Sequence, residues 1–224
     1  MSRAVDVVLF DYGGVLTTPM GDSIRAWIAD EDIDPAVFTA TLKAWLGRDA
    51  AEGSPIHRLE TGDLPEEDFD PLFAAALRTR DGGAVNPDGV LRRMFARVAA
   101  DPAMWCLAED LRAAGVAVGV VSNSWGSGNL YDRDRLAGLF GAVIISEEVG
   151  LRKPDPAIFE LALDRLGVPP GRAAFLDDAV PNVEGAAALG LHAVHHTDAR
   201  TTREALATLI PGLATEPTSE KENV

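Results

Sequence analysis

The sequence predicts an α/β protein: a doubly wound parallel sheet, opened after its first strand by an all-helical insertion. Three observations predict it. Five short apolar runs lack the polar alternation of a half-exposed sheet, as strands covered on both faces do. Helical patterns separate the last four of these runs. A long stretch after the first run carries helical patterns and no good strand. Strand and helix in alternation describe a Rossmann-like core.

The elements follow in order. "VDVVLFD" (5–11) is the first strand. The stretches "DSIRAWIADEDI", "PAVFTATLKAWLG", "PEEDFDPLFAAALR" and "DGVLRRMFARVAA" are amphipathic, and they place the helical module at residues 18–99. The core then comprises residues 1–17 and 100–212. "PAMWCLAEDLRAAG" (102–115) reads as a helix with Leu107, Leu111 and Ala114 inward, ended by Gly115. "VAVGVVSNS" (116–124) and "AVIISE" (142–147) are the second and third strands. "PDPAIFELALDRLG" (154–167) has Asp155 as N-cap and Pro156 at the first helical position. Ile158, Leu161, Ala162 and Leu166 are its inward face, and Gly167 closes it. "AAFLDD" (173–178) is the fourth strand, "PNVEGAAALG" (181–190) a helix with Val183, Ala186 and Ala187 inward, and "LHAVHHT" (191–197) the fifth strand. Residues 213–224, polar and aperiodic, read as a disordered tail.

Composition narrows the function classes. With 20 basic and 35 acidic residues in 224, the formal charge is −15. A nucleic-acid or anionic-membrane surface needs a basic face, so both are excluded as partners. A small anionic substrate is not, because one local ammonium can outweigh the global field. The single cysteine, Cys106, allows no internal disulfide and reads as a buried, inert thiol. The first apolar run is cut short by Asp11, too early for a signal peptide, and no stretch is long enough to span a bilayer. The expectation is a cytoplasmic protein, monomer or homodimer.

In an open parallel sheet, ligands bind beyond the carboxyl ends of the strands. Asp11 ends the first strand, Ser122 and Asn123 the second, and Asp177 and Asp178 the fourth, while Lys153 follows the third in "EEVGLRKPDP". Three carboxylates, a hydroxyl and an ammonium thus meet at one edge. Three carboxylates together repel, and a hard divalent cation relieves them; Mg²⁺ takes one or two carboxylates, a carbonyl and waters. Gly13 and Gly14 let the backbone approach an anion and aim N–H groups at it. Asp11 is then a nucleophile held by the metal and Lys153.

These residues carry a family resemblance. "FDYGGVL", "VVSNS", "GLRKPDPAIF" and "FLDDAVPNVEGA" resemble, in order and spacing, the four motifs of the haloacid dehalogenase superfamily of hydrolases. The insertion resembles the helical cap of the subgroup with a cap between motifs one and two, and "RLETGDLPEEDF" (58–69) is similar to a cap segment common there. The resemblance implies a Mg²⁺-dependent phosphatase acting on a small phosphorylated metabolite. It implies that Asp11 attacks phosphorus to form an aspartyl-phosphate, and that Ser122 and neighbouring N–H groups, with Gly13, Gly14, Asn123 and Lys153, bind the substrate. It implies metal ligation by Asp11, Asp178, the carbonyl of Gly13, and Asp177 directly or through water.

One position departs from the family pattern. Phosphatases of the family carry a second Asp two residues after the nucleophile, where this chain has Gly13. Three outcomes stand open: another group serves as acid, with His57 and Glu60 of the cap the nearest; the leaving group needs little help; or the protein is a weak or inactive relative that binds a phosphorylated ligand. A metal-independent dehalogenase is a further alternative, but it leaves the Asp177–Asp178 pair without a partner. Asn182 reads as a site residue or as a helix cap. His195 and His196 read as ordinary polar residues, Trp27 and Trp45 as cap core, and Trp125 as core or pocket wall.

Overall fold

The computed structural model describes residues 3–47, 50, 51, 53–126 and 130–214. Strands β1 (Val7–Phe10), β2 (Ala117–Ser122), β3 (Ala142–Ile145), β4 (Ala173–Asp177) and β5 (His192–His195) form one parallel sheet in the order β3-β2-β1-β4-β5. Each lies inside the apolar run that predicted it. β1 is central, and its residues alternate between two cores as the two-residue strand period requires. Val8 and Phe10 join one core, Val7 and Leu9 the other.

Helices α1 (Met20–Asp30), α2 (Pro35–Leu46), α3 (Pro55–Glu60), α4 (Glu66–Ala76) and α5 (Val90–Met94) make the insertion after β1. The chain returns through α6 (Pro102–Ala113), then α7 (Arg133–Leu139), α8 (Ser146–Val149), α9 (Pro156–Leu166), α10 (Val180–Ala188) and α11 (Ala199–Leu209). Three of these helices start by the same device. Asp34, Asp101 and Asp155 each precede a proline at the first helical position, and each carboxylate accepts the N–H of the following alanine at 2.8–2.9 Å. The proline's fixed φ and the satisfied orphan donor together set the helix start.

Helices α6 and α11 cover one face of the sheet through Leu107, Leu111 and Leu206. Helices α9 and α10 cover the other through Ile158, Phe159, Ala162 and Ala186. The insertion has its own core, in which Phe69 and Phe73 lie 5.4 Å apart and Trp27, Phe38 and Trp45 pack around them. Its two ends run side by side. Thr17 bridges Ala100 in antiparallel fashion, and Thr18 N–H donates to Ala99 O at 2.7 Å.

Several details differ from expectation. Strand β5 is an edge strand and is only half-buried, so it is not covered on both faces. Ala114 and Ala187 are exposed rather than inward. The segment 88–100 is helical only over Val90–Met94; beyond it the chain closes i→i+3 turns at Ala96 and Val98. Helices α3, α7, α8 and α11 have no counterpart among the helical patterns of the sequence, and Ser146 and Glu147 lie in α8 rather than in the third strand. Leu213 is buried in the α6–α11 core and Ala214 O accepts from Arg203, so the chain stays packed past the start of the expected tail; residues 215–224 lie outside the described residues. Cys106 is half-buried rather than buried, and desolvation raises its thiol pKa, which keeps it protonated. No helix among the described residues is long and apolar enough to cross a membrane.

Candidate active site

The carboxyl ends of β1, β2 and β4 bring the predicted residues together where the strand order reverses. Asp11 follows β1 directly, and its N–H donates to Leu176 O at 2.8 Å, which fixes it beside β4. Lys153 arrives from the loop before α9 and is 1% exposed. Its Nζ donates to Asp11 Oδ1 at 2.7 Å and to Asp177 Oδ2 at 2.6 Å. Burial works against the charge on Lys153, but the two carboxylates outweigh it and hold the ammonium above its ordinary range. Burial pushes the Asp11 carboxyl up to about 7, against the pull of Lys153.

The paired aspartates are not equivalent. Asp177 is fully buried and saturated: Oδ1 accepts the Ala179 N–H at 2.8 Å, Asn182 Nδ2 donates to both oxygens at 3.1 Å, and Lys153 takes Oδ2. Asp178 is exposed, yet partial desolvation of its carboxylate, together with the charge of Asp177, raises its pKa. Oxygens of Asp11, Asp177 and Asp178 lie within 4.8 Å of one another. Three carboxylates against one ammonium leave net negative charge at one spot, the donor set a hard dication takes. Gly14 makes room for Asp178: its φ is +83°, and a Cβ there would sit 2.5 Å from Asp178 Oδ2. Gly13 has no such constraint; a Cβ would meet only Met20, at 3.5 Å.

Ser122 Oγ lies 3.0 Å from the Tyr131 hydroxyl, whose pKa burial lifts to about 12. Asn123 grips the Lys153 backbone with both ends of its amide: Nδ2 donates to Lys153 O at 3.0 Å, and Lys153 N–H donates to Oδ1 at 2.8 Å. It thereby sets the lysine loop. Asn182 is a site residue through Asp177, and His195 Nε2 lies 3.0 Å from Asp178 O.

These groups open into a cavity of about 960 Å³ between the sheet edge and the helical insertion. His57 and Glu60 both line it. Glu60 is buried and committed: Arg152 Nε donates to Oε2 at 2.5 Å and Trp125 Nε1 to Oε1 at 3.1 Å. Desolvation and Arg152 lower the His57 pKa, which keeps its imidazole neutral at pH 7. Trp125 is therefore a pocket wall, whereas Trp27 and Trp45 belong to the insertion's core. Sequence reasoning missed Tyr131, Arg152 and Met20. Arg152 adjoins Lys153 within a recognised motif; Tyr131 and Met20 carry no local signal.

Known proteins resemble this chain along most of its length. It is 30% identical over 205 residues to a sesquiterpene phosphatase of Aspergillus oryzae, covering 90% of this chain and 95% of that one. It is 28% identical over 199 residues to acyl-CoA dehydrogenase family member 10 of Mus musculus. The chain spans only 18% of that protein, and 36% of the bifunctional epoxide hydrolase 2 of Sus scrofa. Among solved structures, a HAD family enzyme of Bacteroides thetaiotaomicron, in complex with magnesium and inorganic phosphate, superposes with a TM-score of 0.62 at 18% identity, over 86% of this chain and 94% of that one. A family model described as haloacid dehalogenase-like hydrolase matches residues 5–190, and the chain belongs to that family.

Proposed function

We propose that the protein is a Mg²⁺-dependent phosphomonoester hydrolase acting through an aspartyl-phosphate on Asp11. The observation that carries this reading is the buried Lys153, held between Asp11 and Asp177 at 2.7 and 2.6 Å, with Asp178 in the same carboxylate cluster. The phosphatase relative and the magnesium–phosphate complex of a family member support it. We read residues 18–99 as a cap over a core of residues 1–17 and 100–212.

Asp11, Asp178 and the Gly13 carbonyl would hold the metal. Asp177, already saturated, would position Lys153. When bound, the metal neutralises phosphoryl charge and screens the incoming carboxylate. Asp11 attacks phosphorus, the bond from phosphorus to the ester oxygen breaks, and the alcohol leaves with a proton. Water then attacks the same phosphorus and frees Asp11 and inorganic phosphate. Lys153 and Ser122 offset the charge on the transferred group, which is the greater part of catalysis in phosphoryl transfer. Gly13 cannot supply the leaving-group proton. Glu60 is occupied by Arg152 and Trp125 and the His57 imidazole is neutral, which leaves solvent as the source, or a leaving group that needs none.

Phosphate release from a panel of monophosphates, with Mg²⁺ and with EDTA, tests the reading. We expect turnover with Mg²⁺ only, abolished in Asp11→Asn. Equal turnover in EDTA, or in Asp11→Asn, would overturn it. Halide release from 2-haloacids in EDTA would instead establish the dehalogenase reading. Gly13 favours a second reading, a phospho-ligand-binding protein without turnover; binding of a monophosphate with no release over hours would establish it.

A further inference from the structure

We infer that the substrate is the phosphate monoester of an apolar alcohol, with the alcohol part seated in the cap side of the cavity. This rests on the phosphatase reading of the site. The cavity of about 960 Å³ is at the upper end of the ~300–1,000 Å³ usual for small-molecule sites, far more than a phosphoryl group fills. Its apolar walls are Met20, Ile24, Leu46, Phe95, Trp125 and Leu130, with Arg152 and Glu184 also in the lining. Among the described residues, the only polar side chains that the insertion contributes to the lining are His57 and Glu60.

Several of the polar atoms that could greet a sugar or amino-acid moiety are engaged elsewhere, the His57 ring aside. Trp125 Nε1 and Arg152 Nε both donate to Glu60. Tyr12 Oη donates to Leu130 O at 2.9 Å, and Tyr131 Oη pairs with Ser122. The aromatic residues therefore offer the cavity ring faces. A hydroxyl buried there without a partner would weaken binding by about 5- to 150-fold. A methylene would strengthen it by roughly two- to fourfold. Leu46, 39% exposed at the cavity wall, is a large apolar side chain left to water unless such a ligand covers it.

The test is a series of butyl, hexyl and octyl phosphate, set against glycerol 1-phosphate and glucose 6-phosphate, with p-nitrophenyl phosphate as reference, in Mg²⁺. We expect kcat/KM to climb about two- to fourfold per methylene, mostly through KM, and octyl phosphate to exceed glucose 6-phosphate at least tenfold. Leu46→Gln, at an exposed site that leaves the fold intact, should flatten that climb. A flat series, or a preference for glucose 6-phosphate, would overturn the inference while leaving the phosphatase reading in place. If no compound, p-nitrophenyl phosphate included, is turned over, the phosphatase reading fails instead. Calorimetric binding of octyl against glucose 6-phosphate then decides the cavity's preference: tighter octyl binding upholds it, and equal or weaker binding ends it.

Discussion

Glu60 of the cap accepts a hydrogen bond from Arg152 Nε at 2.5 Å, across the boundary between insertion and core and one residue from Lys153. Its other oxygen takes the Trp125 N–H, so one cap carboxylate ties down the loops that follow Ser122 and precede Lys153. Burial raises the Glu60 pKa, opposed by Arg152, so the pairing with Arg152 is what offsets the desolvation. Glu60→Ala leaves a guanidinium and an indole N–H without their acceptor. We expect a loss of about 1–3 kcal/mol in urea unfolding, since Arg152 keeps some contact with water. We also expect kcat/KM to fall more than tenfold. Glu60→Gln should recover part of the stability through Trp125. An unchanged midpoint in Glu60→Ala would show that the pair contributes nothing.

Lys153→Met removes the only cation between Asp11 and Asp177 among the described residues. Two buried carboxylates would then face each other. Breaking such a buried arrangement costs about 3–5 kcal/mol, and we expect most of that loss in EDTA and less of it in Mg²⁺. The rate of phosphate release should fall by about 10²–10³, the scale for removing one charge-stabilising donor. Denaturation curves with and without Mg²⁺, beside single-turnover kinetics, measure both.

The two glycines after Asp11 should respond in opposite ways. Gly14→Ala puts a Cβ 2.5 Å from Asp178 Oδ2, at φ +83°, where an L-residue is strained. The carboxylate must move, and the Mg²⁺ concentration for half-maximal activity should rise roughly 10- to 100-fold, as when a ligand's support is lost. Gly13→Ala meets only Met20 at 3.5 Å and should leave the Mg²⁺ requirement within about twofold of wild type. A Mg²⁺ titration of both variants checks the pair; equal shifts would refute the geometry.

The room at Gly13 also admits an acid. Without one, the rate should depend steeply on leaving-group pKa, with aryl phosphates far ahead of alkyl phosphates. Gly13→Asp should raise alkyl phosphate turnover by about 10²–10⁴ and leave aryl esters nearly unchanged. A plot of log kcat/KM against leaving-group pKa, shallower in the variant, is the readout. Parallel plots would mean that another proton source already serves the leaving group.

Much of the core was legible because its signals are local. An apolar run ending in Asp11, or in Asp177–Asp178, marks a buried strand and its functional end together. The Asp-Pro starts of α2, α6 and α9 announce themselves in two letters. Helix α11 did not: its "ARTTREALATL" carries few large apolar residues and two adjacent threonines, and it is held by Leu206 in the α6 core, the Asp198 cap and the Arg203–Asp110 pair. Helix α7, "RDRLAGL", anchors mainly by Leu136. The inequality of Asp177 and Asp178 was also illegible, because it depends on Asn182 and Lys153 reaching the first and not the second. The same holds for Glu60, whose partners lie 65 and 92 residues away in sequence.

His196 supplies a pH-dependent stability term behind the site. Its ring is buried, Nδ1 lies 2.8 Å from Thr202 Oγ1, and the backbone N–H of His196 donates to Asp177 O. Desolvation lowers its pKa, with Asp101 and Asp198 opposing. The unfolded chain protonates this histidine near 6.5, the native protein only at lower pH. Between those values the unfolded state binds more protons, so stability rises with pH there. The contribution is complete above about 6.5 and is lost as pH falls through the folded value. Asp11, raised to about 7, acts with the opposite sign, losing stability as pH rises through that value. Wild type and His196→Gln share the Asp11 effect, so their difference isolates the histidine. Urea unfolding in Mg²⁺ at pH 7.5 and 5.5 should show wild type losing more stability on acidification than His196→Gln. Parallel losses would mean that the ring titrates as freely in the native protein as in the unfolded chain.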